Sequence, residues 1–184
     1  MVQAFRDSAL ASCIQDGGVV ACPAEAVWGL SCHPFSEQAV RHILELKQRP
    51  VSKGLIVVAA DLWMLAPVLE TLPKDQLRRL SDSWPGPHTW LVPHRGLFPA
   101  WVTGDSDYVA VRITQAPALR ALSRVVGGPL VSTSANPAGA SPARFGFQVV
   151  RYFGAALPRA VGTVDTQAKP SSIRRADTGE IIRA

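Results

Sequence analysis

Two short segments of the chain carry the residue types and the spacing that anion binding requires. The first reads Leu46-Lys47-Gln48-Arg49-Pro50-Val51-Ser52-Lys53. Proline disfavours helix at the residue before it, so we expect the three cations to lie in extended chain with their side chains on one side. Arginine forms bidentate hydrogen bonds with phosphate oxygens, and lysine supplies a compact positive charge. This combination is suited to binding a polyphosphate. A solvated basic loop is the alternative.

The second segment reads Val131-Ser132-Thr133-Ser134-Ala135-Asn136-Pro137. Ser132, Ser134 and Asn136 alternate, so a strand that ends here would present all three on one face. Open α/β sheets bind ligands at the carboxyl ends of their strands, where hydroxyls and an amide can hold phosphate or ribose oxygens. Ordinary turn chemistry after a strand is the alternative.

Two further polar residues stand in apolar surroundings. Arg112 ends the apolar run Val109-Ala110-Val111, and a charge there is unusual unless an anion meets it. Thr89 begins a strand directly after a turn rich in proline and glycine, residues 84–88. We expect Arg112 either to bind an anionic ligand or to form a structural ion pair.

Several sequence motifs that identify enzyme classes are missing. The chain has no G-x-G-x-x-G, no G-x-x-x-x-G-K-[ST] and no G-x-S-x-G. Cys13, Cys22 and Cys32 have neither disulfide-framework nor zinc-like spacing, so we expect buried free thiols, a reducing compartment and no metal ligands.

Apolar periodicity predicts the elements that must position these residues. We expect a first helix with Phe5, Ala9 and Ile14 on its inner face, ended by Gly17-Gly18. Further helices are predicted to begin after Ser36, at Asp61, at Pro73, over 117–126, and at Ser141-Pro142 toward Gly154. Strands are predicted over 19–22, 55–58, 89–92, 109–113 and 130–134, with weaker ones over 161–164 and 180–183.

Length, composition and charge favour one α/β domain over residues 1–184. Of the 184 residues, 47% are hydrophobic and 18% are charged, which argues against disorder. The 19 Lys+Arg against 14 Asp+Glu give a net charge of +5, which favours an anionic partner such as a nucleotide or RNA. No apolar run approaches a membrane span, and Arg6 and Asp7 interrupt the region where a signal peptide is apolar. We therefore expect a cytoplasmic protein.

Together these segments resemble the YrdC family of threonylcarbamoyl-AMP synthases, in its short bacterial TsaC form. The similarity covers nearly the whole chain, and its pieces follow the order of the family. They are Gly17-Gly18-Val19-Val20, Glu25-Ala26-Val27-Trp28-Gly29-Leu30, Leu46-Lys47-Gln48-Arg49-Pro50, Lys53-Gly54-Leu55-Ile56, Trp84-Pro85-Gly86-Pro87 with Thr89, Ala110-Val111-Arg112, Ser132-Thr133-Ser134-Ala135-Asn136 and Pro170-Ser171-Ser172-Ile173-Arg174.

The resemblance implies a twisted mixed sheet, flanked by helices, with a large electropositive cavity and without the second domain of the long relatives. It also implies formation of threonylcarbamoyl-adenylate and pyrophosphate from L-threonine, bicarbonate and ATP, for the tRNA modification N6-threonylcarbamoyladenosine (t6A). Mg²⁺ would arrive with ATP and be bound mainly through the phosphates. The product would pass to a TsaD/TsaB/TsaE-like transferase complex, and tRNA or dsRNA could bind directly.

The resemblance also assigns roles to residues by position. Lys47 and Arg49 would be catalytic, and Arg49 and Arg112 would bind threonine or another anion. The nucleotide would be bound by Lys47, Thr89, Ser132, Ser134 and Asn136.

Three features depart from the family pattern. Ala24 stands where threonine is usual in a segment that shapes the amino-acid pocket, and Arg175 stands where aspartate is usual. The 163–169 loop lacks an expected Gly-Gly pair. Two alternatives stay open: a non-catalytic RNA-binding module that uses the same basic cavity, and a related carbamoyl-adenylate enzyme with a different amine substrate.

Overall fold

Eight strands form one mixed sheet in the computed structural model, which describes residues 2–184 and their side chains from residue 6 onward. The strands are β1 (Val20–Pro23), β2 (Trp28–Cys32), β3 (Ile56–Ala59), β4 (His88–Pro93), β5 (Tyr108–Ile113), β6 (Leu130–Ser134), β7 (Ser172–Arg175) and β8 (Ile181–Arg183). Their order across the sheet is β1-β2-β6-β3-β5-β4-β7-β8. The pairs β3–β5 and β4–β7 are parallel and the other neighbours are antiparallel. The predicted mixed α/β sheet is therefore confirmed.

Helices connect the strands on both faces of the sheet. They are α1 (Val2–Gln15), α2 (Glu37–Lys47), α3 (Ala66–Leu69), α4 (Lys74–Ser81), α5 (Ala100–Thr103), α6 (Pro117–Val126) and α7 (Gly146–Phe153), with 3₁₀ turns at Val51–Lys53 and Leu62–Leu65. The side chain of Phe5, predicted on the inner face of the first helix, lies outside the described residues. Within residues 2–184, no helix combines the length and the apolar composition that crossing a bilayer requires.

The two faces of the sheet have separate apolar cores. Helices α1 and α6 pack on one face, where Ile14 and Leu119 meet Val58 and Leu130. Helix α2 packs on the other face, over a larger cluster. Side chains two residues apart on a strand share a face. The residues two positions from Val58 and Leu130 therefore lie on the face that α1 and α6 cover, and this placement matters for the site.

Local signals predicted several helix starts correctly. Ser36 caps α2, its Oγ accepting from the backbone N–H of Ala39 at 3.4 Å. The helix then buries Val40, Ile43 and Leu44 at the expected spacing. The predicted helix 117–126 has the observed bounds.

The helix predicted to begin at Ser141-Pro142 was wrong. Helix α7 begins only at Gly146, where the side chain of Gln148 accepts from the backbone N–H groups of Arg144 and Phe145 at 2.7 and 3.0 Å. The backbone of Ala143 is used instead for long-range pairing, since its carbonyl accepts from Trp28 and its N–H donates to Ala135. Those bonds hold the segment extended, so the local capping signal did not decide its conformation.

The predicted strand over 161–164 is also absent from the described residues. The pairing with β1 occurs just before it, where Ala21 donates to the carbonyl of Pro158 and accepts from Ala160. Strands β2 and β7 were not predicted. The burial of β2 on both faces leaves its sequence, Trp-Gly-Leu-Ser-Cys, without the alternation that identifies a strand.

Candidate functional site

A cavity of about 440 Å³ opens on the face of the sheet that α1 and α6 partly cover. Its floor is a row of directly opposed residues on four adjacent strands: Ser132 of β6, Ile56 of β3, Ala110 of β5 and Leu91 of β4. The volume lies within the roughly 300 to 1,000 Å³ typical of ligand pockets. The short side chains of Ser132 and Ala110 leave space above this row.

Positive charge predominates in the lining of the cavity. One carboxylate, Glu25, lies among its described lining residues. The cationic lining residues are Arg49, Lys53, Arg112, Lys169 and Arg183. Such an excess in a concave site raises the local concentration of anions.

Arg49 lies on the segment between α2 and β3. Its Nη2 donates to the carbonyls of Lys53 and Gly54 at 3.3 and 3.0 Å. Its Nε is buried and has no hydrogen-bond partner among the described residues. Burial lowers the pKa of Arg49. Neutral acceptors thus fix the guanidinium in the cavity wall, and its charge remains for a ligand.

The prediction that Lys47, Arg49 and Lys53 lie together in extended chain was wrong. Lys47 is the last residue of α2, and Lys53 ends a 3₁₀ turn. Gln48 takes the left-handed conformation, with φ 51°, so the chain leaves the helix before Pro50 acts on it. Of the three, Arg49 and Lys53 line the cavity.

Lys47 lies behind the cavity wall with 5% of its surface exposed. Its Nζ donates to the main-chain carbonyls of Ser134 and of Asn136, the latter at 3.0 Å. The Asn136 Oδ1 lies 3.4 Å away and the Ser134 Oγ 3.5 Å away. Burial, together with the nearby charge of Arg49, lowers the pKa of Lys47 to about 8. This ammonium therefore joins the end of α2 to the end of β6.

The three alternating polar residues, two in β6 and one in the loop after it, separate into two groups. Ser132 and Ser134 line the cavity, as the alternation predicted. Asn136 turns into its own loop, where Nδ2 donates to the carbonyls of Pro137 and Ala140 at 3.1 and 2.8 Å. Its amide therefore shapes the loop that carries the acceptors of Lys47.

Thr89 is fully buried and is not among the residues that line the cavity. Its Oγ1 lies 3.0 Å from the Oγ of Ser171, which does line it. Thr89 therefore contacts the site indirectly, through the hydroxyl group of Ser171.

Arg112 forms the structural ion pair that was one of the two alternatives left open by the sequence, at a position that also borders the cavity. Its Nη2 lies 3.1 Å from Glu25 Oε2 in a buried ion pair, and the residue also lines the cavity. Glu25 Oε1 accepts from Thr114 Oγ1 at 2.7 Å and from the N–H of Gln115 at 3.2 Å. Burial lowers the pKa of Arg112, Glu25 opposes this, and the charge of Arg183 lowers it further. The Nε of Arg112 has no hydrogen-bond partner among the described residues.

Sequence reasoning did not assign Glu25, Tyr108, Ser171 or Arg183 to the site, yet all four line the cavity. Ser171 and Arg183 lie far along the chain from the basic segment. The pairing of β7 with β4, and of β8 with β7, brings them to the cavity. Local spacing carries no signal for such a placement.

The three departures from the family pattern lie in different places. Ala24 lines the cavity, whereas Arg175, the last residue of β7, contacts Asp177 and the hydroxyl of Tyr108 at 2.7 and 2.6 Å. The 163–169 loop borders the site, since the N–H of Asp165 donates to the carbonyl of Glu25 at 2.9 Å. The three cysteines are free thiols. Among the described residues no group of three or more His, Cys, Asp or Glu side chains is arranged to hold a metal ion.

Comparison with known proteins places these features in a family. The Sua5_yciO_yrdC family, described as "Telomere recombination", matches residues 12–184. The chain is 50% identical over 184 residues to a threonylcarbamoyl-AMP synthase of Pseudomonas aeruginosa, covering 100% of this chain and 99% of that protein. It is 49% identical over 174 residues to the threonylcarbamoyl-AMP synthase of Cellvibrio japonicus, covering 94% and 92%.

A solved structure shows the same arrangement of the chain. The crystal structure of P. abyssi Sua5 complexed with L-threonine superposes with a TM-score of 0.85 at 27% identity. The match covers 94% of this chain and 51% of that one, so this chain corresponds to about half of the Sua5 structure.

Proposed function

The chain belongs to the Sua5/YciO/YrdC family, and on that premise we propose that it is a threonylcarbamoyl-AMP synthase, which forms threonylcarbamoyl-adenylate and pyrophosphate from L-threonine, bicarbonate and ATP. The product would serve t6A modification of tRNA. One observation carries the proposal on the structural side: four residues from three distant motifs, Arg49, Ser132 with Ser134, and Arg112, line a single basic cavity.

The proposed reaction needs no protein nucleophile. The amine of threonine adds to carbon dioxide derived from bicarbonate and loses a proton, which gives a carbamate. A carbamate oxygen then attacks the α-phosphorus of ATP, the bond from that phosphorus to the bridging oxygen breaks, and pyrophosphate leaves with the electron pair. Transfers of this kind are accelerated mainly by positioning and by stabilisation of charge.

The charges of the cavity suit these reactants. Arg49 and Lys53 would hold phosphate oxygens, since neither has a carboxylate within ion-pair distance among the described residues. Ser132 and Ser134 would orient the nucleotide from the floor of the cavity. Arg112 would meet an anionic end of the amino acid.

Three of the residues assigned from the resemblance would act without touching the substrates. Lys47 and Asn136 hold the loop after β6, which sets the position of Ser134. Thr89 would orient Ser171. We propose these as positioning residues, and we keep the catalytic role for Arg49.

Mg²⁺ would enter as part of the substrate Mg-ATP, bound through phosphate oxygens. Glu25 is already engaged by Arg112 and Thr114, so the cavity would contribute cations to the phosphates rather than ligands to the metal.

The biological setting follows from the reaction. The single domain over 1–184 would act in the cytoplasm, which the free thiols support. A reactive adenylate requires rapid transfer, so the product would pass to a TsaD/TsaB/TsaE-like transferase complex. The net charge of +5 supports contact with tRNA.

Mass spectrometry of a reaction with pure protein, Mg-ATP, bicarbonate and isotope-labelled threonine tests the proposal. We expect labelled threonylcarbamoyl-adenylate only when all substrates are present, and at least roughly 100-fold less with Arg49→Gln. Because Ala24 lines the cavity, serine and other amines are run in parallel. Adenylate formed only with another amine would overturn the choice of threonine, and a folded protein that binds RNA without any adenylate would overturn the enzyme assignment.

A further inference from the structure

Two phenylalanines at the start of α7 project into solvent. Phe145 and Phe147 are 52% and 67% exposed, and their rings stack with centroids 5.6 Å apart and an interplanar angle of 11°. Gly146, between them, faces the core, since a Cβ there would lie 3.4 Å from the ring of Trp28. The two rings therefore form one apolar projection on the surface, which we call the α7 aromatic pair.

The α7 aromatic pair is costly for the protein alone. Exposed aromatic rings lack the burial through which such side chains usually stabilise a fold. Phe145 also occupies the N-cap position of α7, where Ser, Thr, Asp and Asn are preferred because their side chains accept from the first N–H groups of the helix. A phenyl ring has no such acceptor. Residues that break local rules in this way are expected at functional sites, so the pair is a candidate binding surface.

Positive charges flank the pair along the chain. Arg144 directly precedes it, and Arg151 lies one helical turn beyond the second ring on the same face of α7. Both arginines are exposed, and neither has a carboxylate within ion-pair distance among the described residues. The sequence contains no Asp or Glu between Asp107 and Asp165, and the carboxylate of Asp165 accepts from the N–H of Gln167 in its own loop. The charge beside the pair is therefore uncompensated.

The α7 aromatic pair is linked to the cavity on both sides. Pro142, three residues before the pair, lines the cavity. Arg144 donates to the carbonyl of Thr166 at 2.8 Å, which joins the start of α7 to the 163–169 loop. That loop ends at Lys169, another lining residue. A molecule bound to the pair would therefore lie beside the cavity from which the adenylate has to leave.

These features favour a protein with an acidic surface over two other partners. A second copy of this chain would bring arginines against arginines in a two-fold interface, which the like charges oppose. Single-stranded RNA would need open ring faces for its bases, whereas these two rings already cover one face of each other. Aromatic and arginine side chains are the residue types that dominate binding energies between proteins. Charge complementarity then requires carboxylates on the partner.

We infer that the α7 aromatic pair, with Arg144 and Arg151, is the docking surface for the acidic protein that accepts the adenylate from the cavity. The inference rests on the proposed function, in which that acceptor is the transferase complex. In this arrangement the two rings enter an apolar cleft of the partner, and the two arginines contact carboxylates at its rim. Docking beside the cavity shortens the path of a reactive product through water.

Binding of the chain to the purified TsaD/TsaB/TsaE-like complex of the same organism tests the inference. We expect Phe147→Ser to raise the Kd by at least roughly 30-fold, the change expected for an aromatic anchor. Adenylate formation without the complex should be unchanged, because neither ring is among the residues that line the cavity. In the coupled reaction, more of the variant than of the wild type should be required for half-maximal transfer of labelled threonylcarbamoyl to tRNA.

Two further variants sharpen the test. Trp63→Ser is the matched control: Trp63 is 64% exposed, lies outside the cavity lining, and stands two residues from Asp61, whose carboxylate pairs with Arg124 at 2.8 Å. It should leave the Kd unchanged. Arg151→Glu reverses a charge and keeps the rings. It should slow association by roughly 10-fold at low salt and weaken its salt dependence, which provides a second reading if Phe147→Ser folds poorly.

Each other outcome overturns the inference. A wild type that forms adenylate without binding the complex, or an equal loss of binding in Trp63→Ser, would remove the docking role. Binding of tRNA alone that is lost in Phe147→Ser would assign the pair to RNA, and a dimer lost in the same variant would assign it to a second copy of the chain. A wild type that forms no adenylate would overturn the proposed function itself, which distinguishes the two failures.

Discussion

Lys47 does not line the cavity, but it holds in position a residue that does, Ser134. Its ammonium group contacts the carbonyls of Ser134 and Asn136, one on each side of the turn that ends β6. A protonated amine holds several acceptors at once, because it carries three N–H donors. Loss of its proton would remove a donor and the positive charge together.

We predict that the rate of adenylate formation falls as the pH rises through about 8, the value to which burial and Arg49 lower the pKa of Lys47. A displacement of Ser134 by even a fraction of an ångström would misplace the nucleotide. Lys47→Met should lower kcat/KM by roughly 100-fold and abolish this pH dependence. A pH series of pyrophosphate release checks both, and an unchanged alkaline limb in Lys47→Met would contradict the assignment.

The stability of the fold should have the opposite dependence on pH. The folded-state pKa of Lys47 lies below its ordinary value of 10.5, so the folded chain loses this proton before the unfolded chain does. The contribution of Lys47 to the free energy of unfolding therefore rises between about pH 8 and 10.5. Thermal unfolding over the same series should show that loss of activity above pH 8 is not caused by loss of structure at this residue.

At the scale of elements, the short connection from α2 to β3 positions the cations for the phosphates. It passes close to α5, since the N–H of Leu55 donates to the carbonyl of Val102 at 2.8 Å. Gly54 has φ +58°, and a Cβ there would lie 2.8 Å from the carbonyl oxygen of Thr103. The carbonyl of Gly54 also accepts from Arg49, so the position of the connection and that of the guanidinium depend on one another.

We predict that Gly54→Ala lowers the free energy of unfolding by about 2 to 3 kcal/mol, because it combines backbone strain with a contact against main-chain atoms. It should also raise the KM for ATP, since Arg49 would lose an acceptor. Gly154→Ala is the matched control: its backbone, with φ 85° and ψ 164°, lies in the same glycine-favouring region as that of Gly54, with φ 58° and ψ 172°, but no atom lies within 4 Å of the added Cβ. We expect it to cost about 1 kcal/mol with the KM for ATP unchanged. Equal costs in urea unfolding would contradict the role of the Thr103 contact.

At the scale of the whole molecule, one face of the sheet serves both stability and binding. Val58 and Leu130 lie under α1 and α6, and Ile56 and Ser132, two residues away on the same strands, face the cavity. Charge that faces the cavity destabilises the protein by itself, and a bound anion relieves that cost. Binding should therefore raise the stability of the entire fold.

We predict that nucleotides raise the midpoint of thermal unfolding in the order ATP, ADP, AMP, since each added phosphate gains contacts with the cations of the cavity. At about 100 times its Kd, ATP should stabilise the fold by ~2.7 kcal/mol. Added salt should reduce the difference between ATP and AMP, because it screens the charges. Arg49→Gln should reduce that difference, whereas Arg151→Gln should leave it unchanged. A shift that does not depend on the number of phosphates would contradict the assignment of Arg49 and Lys53.

Patterns in the sequence were sufficient to predict the α/β class, most of the elements and the family. Strong local patterns produced these results: the cap at Ser36, the apolar strand around Val57 and the helix 117–126 each depend on neighbours a few residues away. The ordered motifs predicted that Arg49, Ser132, Ser134 and Arg112 belong to one site, and all four line the cavity.

Which charges face a ligand could not be predicted from the sequence, because it depends on contacts between distant segments. Lys47 lies behind the wall because it is the last residue of α2 and its ammonium donates to the carbonyls of Ser134 and Asn136 at the end of β6. Arg183 reaches the cavity because β8 pairs with β7, and α7 begins late because Ala143 pairs with Trp28 and Ala135. Each of these outcomes depends on hydrogen bonds between segments far apart in the chain. Residue spacing reports only on near neighbours, so it could not reveal them.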